Sequence, residues 1–506
     1  MKALLDTNII IGREANKIVN QDIGTLFKWL DKAKYTKCIH PITVEEINRN
    51  PNKATVDAFN VKLESYDLLK TIAPFDDFIT KVSTKYDSTL NDKNDTLLLN
   101  ELYKDRVDIL ISEDKKIHKK AEALGISESV FTIDSFLEKI VSEHPELINY
   151  KVLSVKQEYF GEINLNDSFF DSLKEDYQGF ARWFNKKADE KAYITYNNGR
   201  VLSFLYLKVE DKDENYFDTI PVFSPKKRLK IGTFKVVSNG LRLGERFLKI
   251  IFDNACINKV DEIYVTIFDR REDQQRLIRL LLDWGFTKYG KKGEELIYVR
   301  EFKPQFNQDN PKLTYPYISS KTNIFMVPIY PKYHTELLPD SYLNNESPED
   351  YSENEPYRNA ISKVYICRSI ERNVKKGDVL VFYRTATDSS KAYYTSVITT
   401  IGLVEDKVDG LNSESDFVLK CRKRSIFTDD YLKEFWNLKP KYHPFIIRFL
   451  YIYSFVLGNR LNRKQLLGLG IINGTENELR GLKKITKTQF DTIIKQTKTD
   501  ENLIID

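Results

Sequence analysis

The sequence predicts a multidomain protein of mixed α/β and α+β class. It has an N-terminal parallel sheet with helices, a middle α+β domain, and a C-terminal β-barrel with appended helices. Three observations predict this. The chain has 506 residues, enough for about three to four domains. Residues 1–145 alternate short apolar runs with amphipathic helices, the pattern of a parallel sheet. Past residue 146 hairpins enter among the helices, and past 320 a series of β-strands precedes the last helices.

In residues 1–145, KALLDTN reads as a strand ending in a turn, DIGTLFKWLDKAKY as a helix, CIHPIT as a second strand and VEEINRN as the start of another helix. NDTLLLNELYKD is a helix, VDILISED a strand, KKIHKKAEALG a helix and SVFTI the last strand. The SFLEKIVSEH helix ends at Pro145, a boundary. In residues 146–302, DSFFDSLKEDYQGFARWFNKKADE gives two amphipathic helices, and AYITYNNGRVLSFLYLKVED a hairpin turning at Asn197, Asn198 and Gly199. The strand LKIGTFKVV, a turn from Gly240 to Gly244 and the helix ERFLKIIFDNACIN follow; EIYVTIF, EDQQRLIRLLLDWG and ELIYVREF are then strand, helix and strand. Residues 303–319 read as a polar linker. Over 320–506, FMVPIYP, KVYIC, DVLVFYRT, TSVITTIGLVED and DFVLKCRKR read as strands of a small closed barrel, with a surface loop at 341–356. DYLKEFWNL, RKQLLGLG and KTQFDTIIKQT are the appended helices.

Composition excludes several classes. Phe 30 and Tyr 29 supply ample core, so the chain is not disordered. Four dispersed cysteines without a CxxC pair exclude a disulfide scaffold and argue against zinc. No apolar run approaches a membrane span, and Asp6 and Asn8 interrupt what would be a signal-peptide core. A cytoplasmic protein is expected. The net charge is +4, but it is segregated: residues 1–145 carry 21 basic and 24 acidic side chains, and residues 421–500 are the most basic stretch.

Four acids sit where the first segment's strands end: Asp6 after LLDTN's strand, Glu46 at the helix after CIHPIT, Asp95 at the start of TLLLNEL, and Asp114 after VDILISE. In a parallel sheet, strand C-termini share one edge, so residues far apart in sequence converge there. Two carboxylates about 4 Å apart oppose each other by roughly 4 kcal/mol at an effective dielectric of 20. A hard divalent ion, Mg²⁺ or Mn²⁺, relieves that repulsion and can activate water against a phosphodiester. Taken singly, Asp95 and Asp114 read equally well as helix N-caps.

Together, MKALLDTNIII, PITVEEI, NDTLLL and LISEDKKIHKKAEALGI resemble the PIN-domain nucleases, in order and spacing, over about 1–140. The resemblance implies a metal-dependent nuclease acting on RNA. It implies that Asp6, Glu46, Asp95 and Asp114 are the metal-holding and catalytic acids. Asn8 and Ser112 are their polar neighbours, Glu45 is a rival to Glu46, and Asp92 is an accessory ligand. PIN domains often dimerise.

The run KIGTFKVVSNGLRLGERFLKIIFDNA joins a strand to a helix through a glycine-bearing turn. Orphan N–H groups and the dipole at such a helix start favour a phosphate ester. The succession over about 150–302, within the domain expected at 146–302, resembles a GNAT-type N-acetyltransferase, with NGLRLG as the acyl-CoA loop and WGF at 284–286. The resemblance implies acetyl-CoA held at Asn239, Gly240, Leu241, Arg242, Leu243, Gly244 and Glu245. Asn239 and Arg242 depart from the family's loop, and Leu281 stands where a tyrosine acid is often placed. Tyr264 and Glu262 are the alternative acid–base groups.

KKGDVLVFYRT and YYTSVITTIGLVEDKV resemble the PUA-like/ASCH barrels, which usually recognise RNA or a modified base. Arg384, Lys391, Lys420, Arg422, Lys423 and Arg424, interleaved with aromatics, are the candidate nucleic-acid contacts. His334 and His443 read as structural.

The function expected from these parts is a metal-dependent endoribonuclease with RNA, including tRNA, held by the basic C-terminal region. In-line attack by water leaves a 5′-phosphate. A GNAT-type acetyltransferase acting on an amine is the alternative, and a non-catalytic RNA-binding regulator a second one. By analogy of fold alone, the combination suits a bacterial toxin or phage-defence protein with an antitoxin or regulatory partner.

Overall fold

The computed structural model describes residues 1–14, 21–143, 155–197, 199–237, 240, 242–341, 356–386, 392–421, 424–439, 442–475 and 478–505. The chain divides into two compact units, one of Met1–Asn149 with Val237–Leu241, the other of Tyr150–Val236 with Arg242–Asp506. Pro145, expected as a boundary, lies outside the described residues.

The first unit runs β1 (Lys2–Leu5), α1 (Thr7–Glu14), α2 (Gln21–Lys32), β2 (Thr36–Ile39), α3 (Pro41–Asn48), α4 (Lys53–Leu63), β3 (Asp67–Leu68), α5 (Asp77–Tyr86), α6 (Leu90–Tyr103), β4 (Ile109–Ile111), α7 (Lys115–Leu124), β5 (Val130–Phe131) and α8 (Ile133–Glu143). Its sheet has the order β3-β2-β1-β4-β5, every pair parallel. Ala3 and Leu5 join one apolar cluster and Leu4 the other. Helices therefore cover both faces, which is why the central strands read as unbroken apolar runs. CIHPIT stops being a strand at Ile39. His40 accepts from Ile42 N at 3.1 Å as an N-cap and Pro41 opens α3. α4 and α5 were not foreseen; Asn52 and Asp76 cap them.

The second unit continues with β6 (Lys156–Tyr159), α9 (Asp171–Asp176), α10 (Phe180–Asn185), β7 (Lys191–Asn197), β8 (Arg200–Glu210), β9 (Thr219–Ile220), β10 (Arg228–Val236), α11 (Leu243–Asn258), β11 (Glu262–Ile267), α12 (Glu272–Asp283), β12 (Thr287–Lys292) and β13 (Glu295–Glu301). These strands form one sheet, β6-β7-β8-β10-β11-β13-β12-β9, antiparallel except for the parallel β10–β11 pair. That pairing covers only Arg228–Ile231 against Glu262–Val265. β10 runs on to Val236 and β11 to Ile267, so the two strands part.

The chain then forms β14 (Ile318–Ser319), β15 (Ile324–Ile329), α13 (Pro331–Leu337), α14 (Pro356–Asn359), β16 (Ser362–Cys367), β17 (Val379–Arg384), α15 (Ala392–Thr395), β18 (Val397–Val408), α16 (Glu414–Cys421), α17 (Asp429–Asn437), β19 (Phe445–Ser454), α18 (Arg463–Gly468), β20 (Lys483–Ile485), α19 (Lys487–Thr497) and β21 (Ile504–Ile505). The order β16-β19-β18-β17-β15-β20 leaves β16 and β20 as edges. Among the described residues the expected closed barrel is therefore an open mixed sheet. The described part of DFVLKCRKR, up to Cys421, is not a strand: Phe417, Val418 and Cys421 bury at helical spacing in α16. The long strand β19 takes its place in the sheet. Residues 342–355 of the expected surface loop lie outside the described residues.

The segment expected as a linker is packed. Tyr315 is fully buried and donates its hydroxyl to Tyr451 O at 2.7 Å. A Cβ at Gly285 (φ +85°) would stand 2.6 Å from Leu313 O. One apolar cluster runs from Phe252 and Trp284 through Tyr315 to Val379 and Leu450. No described helix is long and apolar enough to cross a membrane.

Candidate functional site

β1, β2 and β4 are parallel, so their C-terminal ends share one sheet edge. Asp6 follows β1 directly, Glu46 is on α3 just after β2, and Asp114 is the N-cap of α7 after β4. Asp95 is not at a helix start. The Thr89–Asp92 capping box starts α6 earlier and puts Asp95 in its second turn.

Short polar side chains tie these acids together. Ser112 donates to Asp6 Oδ2 at 2.7 Å and accepts from Asp114 N at 3.0 Å. Asn94 Nδ2 donates to Glu46 Oε1 at 2.6 Å, and the Thr7 hydroxyl donates to Oε2. Asp114 also accepts from Lys116 N at 2.6 Å, so its N-cap role is real. Burial, with the Asp114 and Glu46 carboxylates pushing the same way, lifts the Asp6 carboxyl to about 6 against the Ser112 hydrogen bond. Burial and the nearby Asp114 lift Asp95 to about 7, with Lys120 pulling back and Asp6 adding to the rise. Four carboxyl groups thus share one electrostatic neighbourhood. Glu45 is no rival: it is exposed and 3.7 Å from Arg49.

Asp92 is otherwise engaged. Its carboxylate is bonded to Lys116 at 2.6 Å and to Ser88 and Thr89, which hold its pKa well below the usual range. Lys120 was not foreseen. It is fully buried, 2.7 Å from Asp87 and 4.0 Å from Asp95, and it donates to Thr96 at 3.0 Å. The signal was present in the sequence. Lys120 interrupts the apolar stripe Ile117–Ala121–Leu124 of α7.

Among the described residues no three His, Cys, Asp or Glu side chains are grouped tightly enough to be a preformed metal cage. The donor chemistry still suits a hard cation, because every candidate ligand is a carboxylate. Two of the four are pushed toward protonation as arranged.

Asn239 and Leu241 of the acyl-CoA turn, between β10 and α11, lie outside the described residues. Gly240 (φ +75°) and Arg242 (φ +53°) are left-handed, and Leu243 and Gly244 begin α11. Glu245 is buried in the first turn and accepts from Ile361 N at 2.9 Å and Ser362 N at 3.3 Å. Arg242 pairs with it, and Arg424 Nη1 lies 3.8 Å away. Burial pushes the Glu245 carboxyl up, but the two guanidiniums win and hold it at about 2. A buried carboxylate thus stands in the first turn, its oxygen on the Ile361 and Ser362 amides, a like charge near the place where a pyrophosphate was expected. Glu245→Ala should lower the urea midpoint of unfolding by the equivalent of about 1–3 kcal/mol, since it takes the acceptor from the buried Ile361 and Ser362 amides.

The alternative acid–base groups are also committed. Tyr264 is buried and donates to Glu210 Oε2 at 2.6 Å, and burial drives its pKa far up. Glu262 is paired with Arg228 at 2.9 Å and with Lys226. Leu281 is fully buried.

Of the candidate nucleic-acid contacts, Lys391, Arg422 and Lys423 lie outside the described residues. Arg384 is buried on β17, and with Arg460 it faces buried His334, whose pKa burial drives well down. Arg424 donates to Ser362 O at 2.8 Å. Lys420 lies in the last turn of α16. Of the three described, Arg384 is buried and Arg424 is engaged with Ser362 and Glu245, so these do not form one solvent face with Lys420.

No protein-family model matches the chain, and no curated protein sequence does. Solved structures similar to parts of it include VapBC2 from Rickettsia felis bound to a promoter DNA fragment, at 15% identity over 26% of this chain and 98% of that one (TM-score 0.19). The Bacillus subtilis N-acetyltransferase YlbP in complex with coenzyme A matches at 14% identity over 29% of this chain and 97% of that one (TM-score 0.20). N-acetylglutamate synthase from Neisseria gonorrhoeae, complexed with coenzyme A and N-acetyl-glutamate, matches at 10% identity over 59% of this chain and 94% of that one (TM-score 0.22). Scores this low leave the functional reading to the residues themselves.

Proposed function

We propose that this protein is a metal-dependent endoribonuclease whose cutting centre is Asp6, Glu46, Asp95 and Asp114. One observation carries the reading. Burial and neighbouring carboxylates raise Asp6 and Asp95 together, at the C-terminal edge of a parallel sheet. Folds rarely keep such repulsion without a use for it. Mg²⁺ or Mn²⁺ bound there by these carboxylates would supply charge neutralisation for the phosphodiester and a lower pKa for the attacking water. The chain's own groups do the positioning. Ser112 fixes Asp6 relative to Asp114, and Asn94 and Thr7 fix both oxygens of Glu46.

The test is cleavage of total RNA and single-stranded DNA, with and without EDTA, by the full chain and by Asp6→Asn/Asp114→Asn. The parent should cut RNA only without chelator, leaving 5′-phosphates, and the double variant should be inactive at least a thousandfold. A double variant that cuts like the parent refutes the centre.

A second reading has one observation in its favour. Where β10 and β11 part, the β11-facing main chain of Gly232–Val236 has no ladder partner among the described residues, a place for an extended amide ligand such as acetyl-CoA. Glu245 weighs against it. Thiol release from acetyl-CoA with an amine acceptor, insensitive to EDTA, would establish an acetyltransferase.

A further inference from the structure

A cavity of about 270 Å³ opens between α1, α3 and α4, lined by Ile11, Ile47, Val56 and Phe59 with Arg49, Asn50, Thr55 and Glu46. Glu46 lines this cavity and also belongs to the carboxylate cluster, so the two adjoin at that residue. The cavity is smaller than the range of roughly 300–1,000 Å³ typical of drug-sized ligands, and it suits one nucleoside. Its chemistry is divided. Phe59, Val56 and Ile47 form an apolar wall with one aromatic ring, while Asn50 and Thr55 add amide and hydroxyl groups. Arg49 is the cation of the lining, half exposed, with a long 3.7 Å pair to the exposed Glu45. Such a pair holds its partner weakly.

We infer that this cavity receives the unpaired nucleotide beside the scissile bond of a single-stranded RNA, its base against Phe59 and its phosphate on Arg49. The inference rests on reading Glu46 as part of the cutting centre. Electrostatics gives the reason for the arrangement. A phosphodiester approaching four carboxyl groups is repelled, and a guanidinium at the neighbouring subsite offsets this in bidentate geometry. A flipped-out base needs an aromatic platform, and Asn50 and Thr55 can meet a ribose 2′-hydroxyl.

The experiment uses the full chain in EDTA and measures fluorescence anisotropy of a 5′-fluorescein RNA pentanucleotide and its DNA counterpart across a salt series. Phe59→Leu keeps the wall apolar but removes the ring, and should weaken RNA binding about five- to hundredfold. Arg49→Ala should flatten the slope of log affinity against log salt by about 0.7, and Arg49→Lys should restore it. The parent should prefer the RNA strand. A parent that binds no RNA pentanucleotide, a DNA strand bound as tightly, or both variants binding with the parent's affinity and slope overturns the inference. Cleavage is read in parallel without EDTA for the parent and Asp6→Asn. Equal cutting by both overturns the catalytic centre and leaves the binding result to stand on its own.

Discussion

Asp95→Asn should raise the stability of the protein at pH 8 and, if the proposed centre cuts RNA, abolish cleavage. Burial and Asp114 move the Asp95 carboxyl from 3.8 to about 7. The folded chain therefore holds a proton that the unfolded chain has lost between about pH 4 and pH 7. Stability is full below the lower value and declines as pH rises through the upper one. Three units correspond to about 4 kcal/mol. Coupling to Asp6 and the burial of the new amide reduce the gain to about 2–4 kcal/mol. Urea unfolding at pH 8 and pH 4.5 checks this. The gain should be large at pH 8 and mostly gone at pH 4.5. Millimolar Mg²⁺ should stabilise the parent more than the variant. A variant less stable than the parent at pH 8 would show that the acids are not in conflict.

Lys120→Met acts in the opposite direction on the same neighbourhood. The Lys120 ammonium is fully buried against Asp87, whose side chain is 2% exposed. Removing one partner strands the other, at a cost of about 3–5 kcal/mol. Methionine nearly matches the volume, so the loss reads the charge and not a cavity. The double variant Lys120→Met/Asp87→Asn should recover most of it, which a packing defect would not allow. Urea midpoints of the parent, the two single variants and the double variant form the cycle that measures the coupling.

How much was legible follows from the range over which each feature is determined. β1, β4, α6 and α7 are set by local apolar patterning and caps, and their sequences showed them. Asp6, Glu46 and Asp114 could be placed because parallel strands put their ends on one edge. Asp95 fell inside a helix because the capping box at Thr89 and Asp92 outranks the apolar run that follows it. α16 was misread because FVL is a short apolar run that fits a strand or a helix, and only tertiary burial of Phe417 and Cys421 decides for a helix. The engagement of Arg424 and Glu245 depends on contacts more than a hundred positions apart. Local composition says nothing about such pairings.

The short ladder between Ile318 and Ile504 has a consequence for biosynthesis. The strand at Ile318–Ser319 finds its parallel partner only when Ile504–Ile505 has been made. At about 5–20 residues per second, the five-stranded parallel sheet and its helices leave the ribosome roughly 20–70 s ahead of Ile504. During that interval the nascent polypeptide would carry a finished acid cluster on an unfinished remainder, a stage at which chaperones must shield the waiting apolar strands.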